Sequence, residues 1–370
     1  MKVLHFYKTY YPDSYGGVEQ VIFQLAEGGA RLGLKTEVLS LSPNGASRNS
    51  PLASHIRHCS RRNLQVASTA LSISAIADFR ELAASADLVH YHFPWPFMDL
   101  LHFLAPRKPC LVSYHSDIVR QQNLLRFYSP LMHRFLSSVD RIVAASPNYV
   151  QSSEVLQQYL DKVRVIPYGL EQSTYAAPDE NLLESWRSRI GERFFLFVGV
   201  LRYYKGLQVL LEAAAGAPYP VVIAGAGPLE NELREQVVRL GISNVHLVGE
   251  VSEADKSALF ELSMAMVFPS HLRSEAFGIS LLEGAMFGKP LISCEIGTGT
   301  SYININEETG LVIPADSSPA LRTAMNRLWG NPDQCERFGE NARKRFEQLF
   351  TSEHMNEQYA ALYHEILAAH

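Results

Sequence analysis

Short runs rich in Val, Ile, Leu and Phe alternate along the chain with segments whose apolar residues recur every three or four positions. The short runs predict buried strands at 2–7, 36–42, 88–92, 110–115, 141–146 and 163–167. Between the first two, apolar positions 18, 21, 22, 25, 26, 30 and 32 form the stripe of an amphipathic helix. The rhythm then restarts, with strands predicted at 194–201, 221–224, 245–248, 264–269, 290–294 and 311–313. Helical segments are predicted at 206–217, 229–240, 253–263 and 277–287. Two successive sets of alternating strands and helices imply two doubly wound parallel sheets. The join falls near 167–173, where Ile-Pro-Tyr-Gly-Leu-Glu breaks the pattern.

A length of 370 residues suits two domains, and 47% hydrophobic with 19% charged residues suits a globular chain. The net charge of −5 gives no basic field for nucleic acid. It is uneven: 1–169 holds 17 Lys and Arg against 12 Asp and Glu, the remainder 16 against 26. Cys59, Cys110, Cys294 and Cys335 lie far apart with no CxxC spacing, which argues against a disulfide framework or a zinc site and for a reducing cytoplasm. The chain is expected to have no signal peptide and no membrane-spanning segment.

The chemistry concentrates at Ser274-Glu275-Ala-Phe277-Gly278-Ile279-Ser-Leu-Leu-Glu283. A strand ends before this segment and a helix is expected to start near Phe277, so its free N–H groups form a ready site for anions or hydroxyls. Glu283 can accept hydrogen bonds from two vicinal hydroxyls, as a ribose offers. Arg202 and Lys205, in Gly199-Val-Leu-Arg-Tyr-Tyr-Lys-Gly206 between a strand and a helix, can neutralise a diphosphate. Gly16-Gly17 precedes a helix and lets the backbone approach a ligand closely. His115 ends a parallel strand, where it can bond a sugar hydroxyl or orient an acceptor. His90 and His92 end the preceding strand; with no third ligand at usable spacing, a metal is not expected. Gly225-Ala-Gly227-Pro reads as a tight turn rather than a dinucleotide fingerprint, and no Asp-x-Asp occurs.

Glu275…Glu283, with Gly16-Gly17, His115 and the Gly…Lys-Gly segment in order, resembles the retaining nucleotide-sugar glycosyltransferases of the GT-B fold, family 4. The resemblance implies an α/β chain of two Rossmann-like domains facing across a cleft. An acceptor-binding domain is expected at 1–168, a donor-binding domain at 169–350, and a C-terminal helix at 351–370 crossing back to the first. It further implies a donor site of Gly16, Gly17, Arg202, Lys205, Glu275, Phe277, Gly278, Ile279 and Glu283. Catalytic roles fall to His115, Arg202, Lys205 and Glu275, with His92, Asp117 and Arg120 on the acceptor side. No cofactor or metal is expected, the leaving diphosphate being met by the two cations.

The segments around Lys8–Glu19, His115–Asp117 and Arg273–Gly278 look like bacterial mannosyl- and rhamnosyltransferases that use GDP-sugars in O-polysaccharide assembly. The expected partners are a nucleotide-sugar donor and a glycan or lipid-linked acceptor. The expected location is the cytoplasm, with a peripheral contact to the inner face of the membrane through a basic patch interleaved with Trp95, Phe97 and Tyr114. A UDP-sugar-dependent transferase of the same family, a GT-B-fold epimerase and a non-catalytic sugar-nucleotide binder are the alternatives.

Overall fold

The computed structural model describes residues 1–45, 47–66, 69–118 and 122–370. They divide into two compact units, Met1–Gly169 with Ser352–His370, and Leu170–Thr351.

The first unit holds β1 (Lys2–Phe6), β2 (Lys35–Ser42), β3 (Ser47–Leu52), β4 (His55–Arg61), the hairpin of β5 (Leu64–Val66) and β6 (Thr69–Leu71), then β7 (Leu88–Phe93), β8 (Cys110–Tyr114), β9 (Arg141–Ala144) and β10 (Val163–Val165). Apart from the hairpin these make one sheet in the order β10-β9-β8-β7-β1-β2-β4-β3, parallel except for the antiparallel edge β3. The central strands are covered on both faces, which is why they read as near-continuous apolar runs. β3 and β4 were not expected from the sequence. β4 is His-Ile-Arg-His-Cys-Ser-Arg, and its buried positions include His55, His58 and Ser60, so no apolar signal marks it.

Register puts His5 opposite His90 and His92 opposite Ser113, so these polar side chains line one face of the sheet. The C-terminal helix Ser352–Ala368 brings Tyr359 and Tyr363 to the same face. This helix carries three glutamates and no Lys or Arg. The unit containing it therefore has 17 cationic against 15 anionic side chains, a net +2, and the other unit is −7. The charge asymmetry is thus smaller than a cut at residue 169 suggests.

The second unit holds β11 (Phe195–Val198), β12 (Val221–Ala224), β13 (Val245–Gly249), β14 (Ala265–Phe268), β15 (Leu291–Glu295) and β16 (Gly310–Pro314). All are parallel, in the order β13-β12-β11-β14-β15-β16. This is the doubly wound dinucleotide-fold order, with its switch point between β11 and β14, where such sheets bind ligands. Its core is built from Phe195, Phe197, Leu210, Leu211, Val221, Ile223 and Val267, all fully buried. Among the described residues no helix is long and apolar enough to cross a membrane.

Candidate active site

The loops leaving β11 and β14 meet at the switch point. After β11 the chain passes Gly199 and Arg202 into a single 3-10 turn, Tyr203–Lys205, and turns into helix Leu207–Ala214 through Gly206. Gly206 has φ +66°, and a Cβ there would lie 2.1 Å from the Pro269 carbonyl oxygen. Only glycine allows the β11 and β14 loops to approach this closely. Lys205 is thereby buried, with its ammonium 4.6 Å from the centre of the Phe268 ring and 2.5 Å from Glu275 Oε2. The Ser270 hydroxyl donates to the same oxygen at 3.2 Å. Arg202 is exposed and hydrogen-bonds Tyr204, whose hydroxyl is pushed up to about 12 by burial and then by Glu275.

The helix that follows β14 runs Ile279–Met286, starting two residues later than expected. Gly278 takes a left-handed conformation at φ +100° as its N-cap, and Phe277 is buried against the loop at Gly299. The first-turn N–H groups therefore begin at Ile279. Glu283 lies in this helix and is 4% exposed. Its Oε1 accepts from the Tyr175 hydroxyl at 2.8 Å and from Lys256 Nζ at 3.0 Å. Neither partner was anticipated from the sequence: they lie 108 and 27 residues away in the chain. Gly225 and Gly227 form a turn against the Gly199–Leu201 backbone, and a Cβ on either would meet that backbone at 2.1 and 2.6 Å.

In the first unit Gly16 is the N-cap of helix Gly17–Arg31, in extended conformation and with no side-chain cap. Glu19 Oε1 accepts from Thr9 and Ser14, both at 2.8 Å, and shapes the loop that carries the glycine pair. Nothing in the local pattern marks Glu19 beyond an acidic first turn.

His115 is buried, and both ring nitrogens meet protein groups: Nε2 lies 3.0 Å from His92 Nδ1 and Nδ1 lies 2.6 Å from the Tyr168 hydroxyl. His92 in turn faces His5, Nε2 to Nδ1 at 3.1 Å. His90 bonds Ser113 and Tyr363 at 2.7 and 2.8 Å. Burial lowers His5 and His115 to about 3, helped by His55 and by Lys8 respectively, and pushes His90 and His92 well below their ordinary value. The four imidazoles are neutral. His92, expected on the acceptor side, is fully buried and meets His5 and His115.

A neutral ring carries one N–H, so the row His5–His92–His115–Tyr168 has a single direction. His5 Nε2 is buried with no partner among the described residues. Protons on every Nδ1 leave only an unpaired acceptor there, whereas protons on every Nε2 would leave a buried unpaired donor. The first arrangement is the less costly.

His5 supplies the third histidine that spacing did not reveal, and the ligand atoms of His5, His90 and His92 lie within 4.8 Å of one another. The donor set does not fit an ion. His5 Nδ1 and His92 Nε2 already face each other as hydrogen-bond partners at 3.1 Å. Both nitrogens of His90 and of His92 are also taken.

Asp117 accepts from the Tyr114 and Ser153 hydroxyls at 2.9 and 2.7 Å. Arg120 lies outside the described residues. Of the aromatic residues expected on a basic surface, Trp95 and Tyr114 are buried in the core. Thr298 and Thr300, after β15, are also fully buried.

An open parallel sheet with cationic and carboxylate side chains gathered at its switch point, together with a second parallel-sheet unit, defines the α/β GT-B glycosyltransferase class. The chain superposes on sucrose-phosphate synthase from Thermosynechococcus elongatus with a TM-score of 0.82 at 20% identity, covering 100% of both chains. It superposes on WaaG, a glycosyltransferase involved in lipopolysaccharide biosynthesis, with a TM-score of 0.71 at 17% identity, covering 97% and 99%.

Residues 15–173 match the model of Glycosyltransferase Family 4, and 179–345 that of Glycosyl transferases group 1. The chain is 60% identical over 353 residues to D-rhamnosyltransferase WbpZ of Pseudomonas aeruginosa, covering 95% of this chain and 93% of that one. It is 51% identical over 368 residues to O-antigen chain mannosyltransferase C of Escherichia coli, covering 99% of each. The protein belongs to glycosyltransferase family 4 and is a glycosyltransferase.

Proposed function

We propose that this enzyme transfers a mannosyl or D-rhamnosyl residue from a GDP-sugar to a hydroxyl of a glycan or lipid-linked saccharide in O-antigen synthesis. The observation that carries this reading is the full-length similarity to a D-rhamnosyltransferase and an O-antigen mannosyltransferase at 60% and 51% identity. The switch-point geometry supports the chemistry. Lys205 and Arg202 are the cations for the leaving diphosphate, as a point charge and as a planar fork. Glu275, already a hydrogen-bond acceptor beside Lys205, takes hydroxyls of the donor sugar. Glu283 takes the ribose diol, and the N–H groups that begin at Ile279 face the donor. Gly16 and Gly17 give the first unit a side-chain-free helix start for phosphate oxygens.

Transfer then rests on stabilising charge as it develops on the diphosphate, which accepts the proton of the attacking hydroxyl with retention of anomeric configuration. The ring nitrogens of His115 are held by His92 and Tyr168, so this reading gives it a positioning role and not that of a mobile acid or base. Contact with the membrane, in this reading, uses the exposed side chains of Leu100, Leu104, Arg107 and Phe127, not the buried aromatic residues. Salt-sensitive binding to anionic vesicles checks that contact.

The donor is tested by a thermal-shift panel of GDP, UDP and ADP followed by turnover with GDP-mannose and GDP-D-rhamnose. A ligand that binds only the native state raises the melting temperature. Stabilisation by GDP is expected, and stabilisation by UDP alone would overturn the donor assignment.

A further inference from the structure

We propose that Tyr175 and Lys256 are positioning residues that clamp one oxygen of Glu283 so that the other is presented to the ribose of the donor. This rests on the reading of Glu283 as the ribose ligand. Both groups end on Oε1, at 2.8 and 3.0 Å, and Oε2 takes no hydrogen bond among the described residues. A carboxylate oxygen with both lone pairs open can accept from two vicinal hydroxyls at once. The clamp is itself braced. Lys256 Nζ lies 2.7 Å from Glu253 and 5.1 Å from the centre of the Tyr175 ring, and the Tyr175 ring meets Phe287 edge-on at 6.0 Å.

The charge is as important as the direction. The Glu283 side chain is 5% exposed and that of Lys256 15%. A carboxylate in such a place needs a counter-charge to remain ionised. Burial alone would lower the Lys256 amine, but Glu283 and Glu253 outweigh it and hold the group above its ordinary value. Lys256 thus stays an ammonium, and Tyr175 adds direction without charge. Tyr175 lies in the irregular segment before helix Glu180–Ile190, Lys256 on helix Glu253–Leu262 and Glu283 on helix Ile279–Met286. Three separate pieces of the second unit therefore converge on one oxygen. A solvated surface glutamate would not require this.

The test compares GDP with 2′,3′-dideoxy-GDP, and UDP with its dideoxy counterpart, by calorimetric titration of the full-length protein. The variants are Glu283→Gln, Tyr175→Phe, Lys256→Met and Lys256→Arg, each checked for an unchanged circular-dichroism spectrum. The wild type should prefer the ribonucleotide by about tenfold or more. Tyr175→Phe and Lys256→Met should each shrink that preference severalfold and raise the donor KM with kcat nearly unchanged, and Lys256→Arg should restore part of it.

Collapse of the preference in Glu283→Gln with full retention in both Tyr175→Phe and Lys256→Met would overturn the clamp alone. An equal loss of affinity for ribo- and dideoxynucleotide in those two variants would also overturn it, since that is what a merely structural role gives. Retention of the preference in Glu283→Gln would overturn the ribose reading and the clamp together. Tyr175→Phe removes a single hydroxyl, which keeps the test decisive if Lys256→Met fails to fold.

Discussion

In the first unit, His5–His92–His115–Tyr168 and Tyr363–His90–Ser113–Tyr359 form two hydrogen-bonded rows, their imidazoles neutral and their burial nearly complete. The second also holds two ion pairs with little exposure, Lys205 with Glu275 and Lys256 with Glu283, at the carboxyl ends of strands or in the helix that follows. A neutral network needs no counter-charge and can be sealed off, so it serves to hold strands and helix in register. An ion pair keeps full charges in a place where an incoming anion can compete for one of them. The contrast separates a part of the molecule built to remain as it is from a part built to change partners.

The largest consequence is in acid. Six histidines of the first unit (His5, His55, His90, His92, His102 and His115) are lowered, in each case mainly by burial, and in the second unit His246 is lowered. A histidine whose folded value lies below its unfolded value of 6.5 contributes fully above pH 6.5. That contribution is lost as the pH falls toward the folded value, because the unfolded chain binds the proton first. For His5 and His115 the window runs from 6.5 to about 3, and for His102 from 6.5 to about 4. Each histidine costs about 1.4 kcal/mol per pH unit inside its window. Asp99, pushed up by burial, opposes them with one proton. The first unit should therefore unfold before the second on acidification below pH 6. Trp95 reports the first unit, and Trp186 and Trp329 the second, so variants with the other tryptophans replaced separate the two transitions by fluorescence. Simultaneous loss of both units would remove the contrast.

Next in size is Lys205→Ala, which deprives Glu275 of its counter-charge and the leaving diphosphate of a cation. Turnover should fall by about 10² to 10³. Near-normal turnover in a variant with native circular dichroism would mean that the ion pair is structural after all. Gly206→Ala strikes the same place through the backbone. The new methyl meets the Pro269 carbonyl in a conformation L side chains avoid, so stability should drop by about 2 kcal/mol or more, measured by urea unfolding.

Most parallel strands of both sheets were legible because strands covered on two faces leave apolar runs, while Lys205, Glu275 and Glu283 were singled out by their strand–loop–helix segments together with the family resemblance. β4 was not legible because its buried side include His55, His58 and Ser60, which carry no apolar signal. The start of the Glu283 helix was displaced by Gly278, whose positive φ ends the loop two residues later than periodicity suggests. The histidine row was hidden for a different reason. His5, His92, His115 and Tyr168 are brought together only by strand pairing and the chain around them, so nothing local shows that the strand-end His115 is also a member of a hydrogen-bonded row. Tyr175 and Lys256 were hidden likewise, since nothing local marks a tyrosine in an irregular segment as the partner of a distant glutamate.

The smallest effect probes the direction of that row. With protons on each Nδ1, His115 donates to the Tyr168 hydroxyl, and Tyr168→Phe leaves a buried N–H with no acceptor at 2.6 Å. The expected loss is about 1 to 3 kcal/mol of first-unit stability, the cost of an orphaned buried donor. With protons on each Nε2 the same variant would orphan only an acceptor and cost less. Long-range nitrogen–proton NMR correlations of the wild-type imidazoles read the tautomers directly and should place the proton on Nδ1 of His5, His92 and His115. An Nε2 proton on His5 would reverse the assignment and predict a milder Tyr168→Phe. The variant should leave the second unit's melting unchanged, because that unit contributes no member of this row.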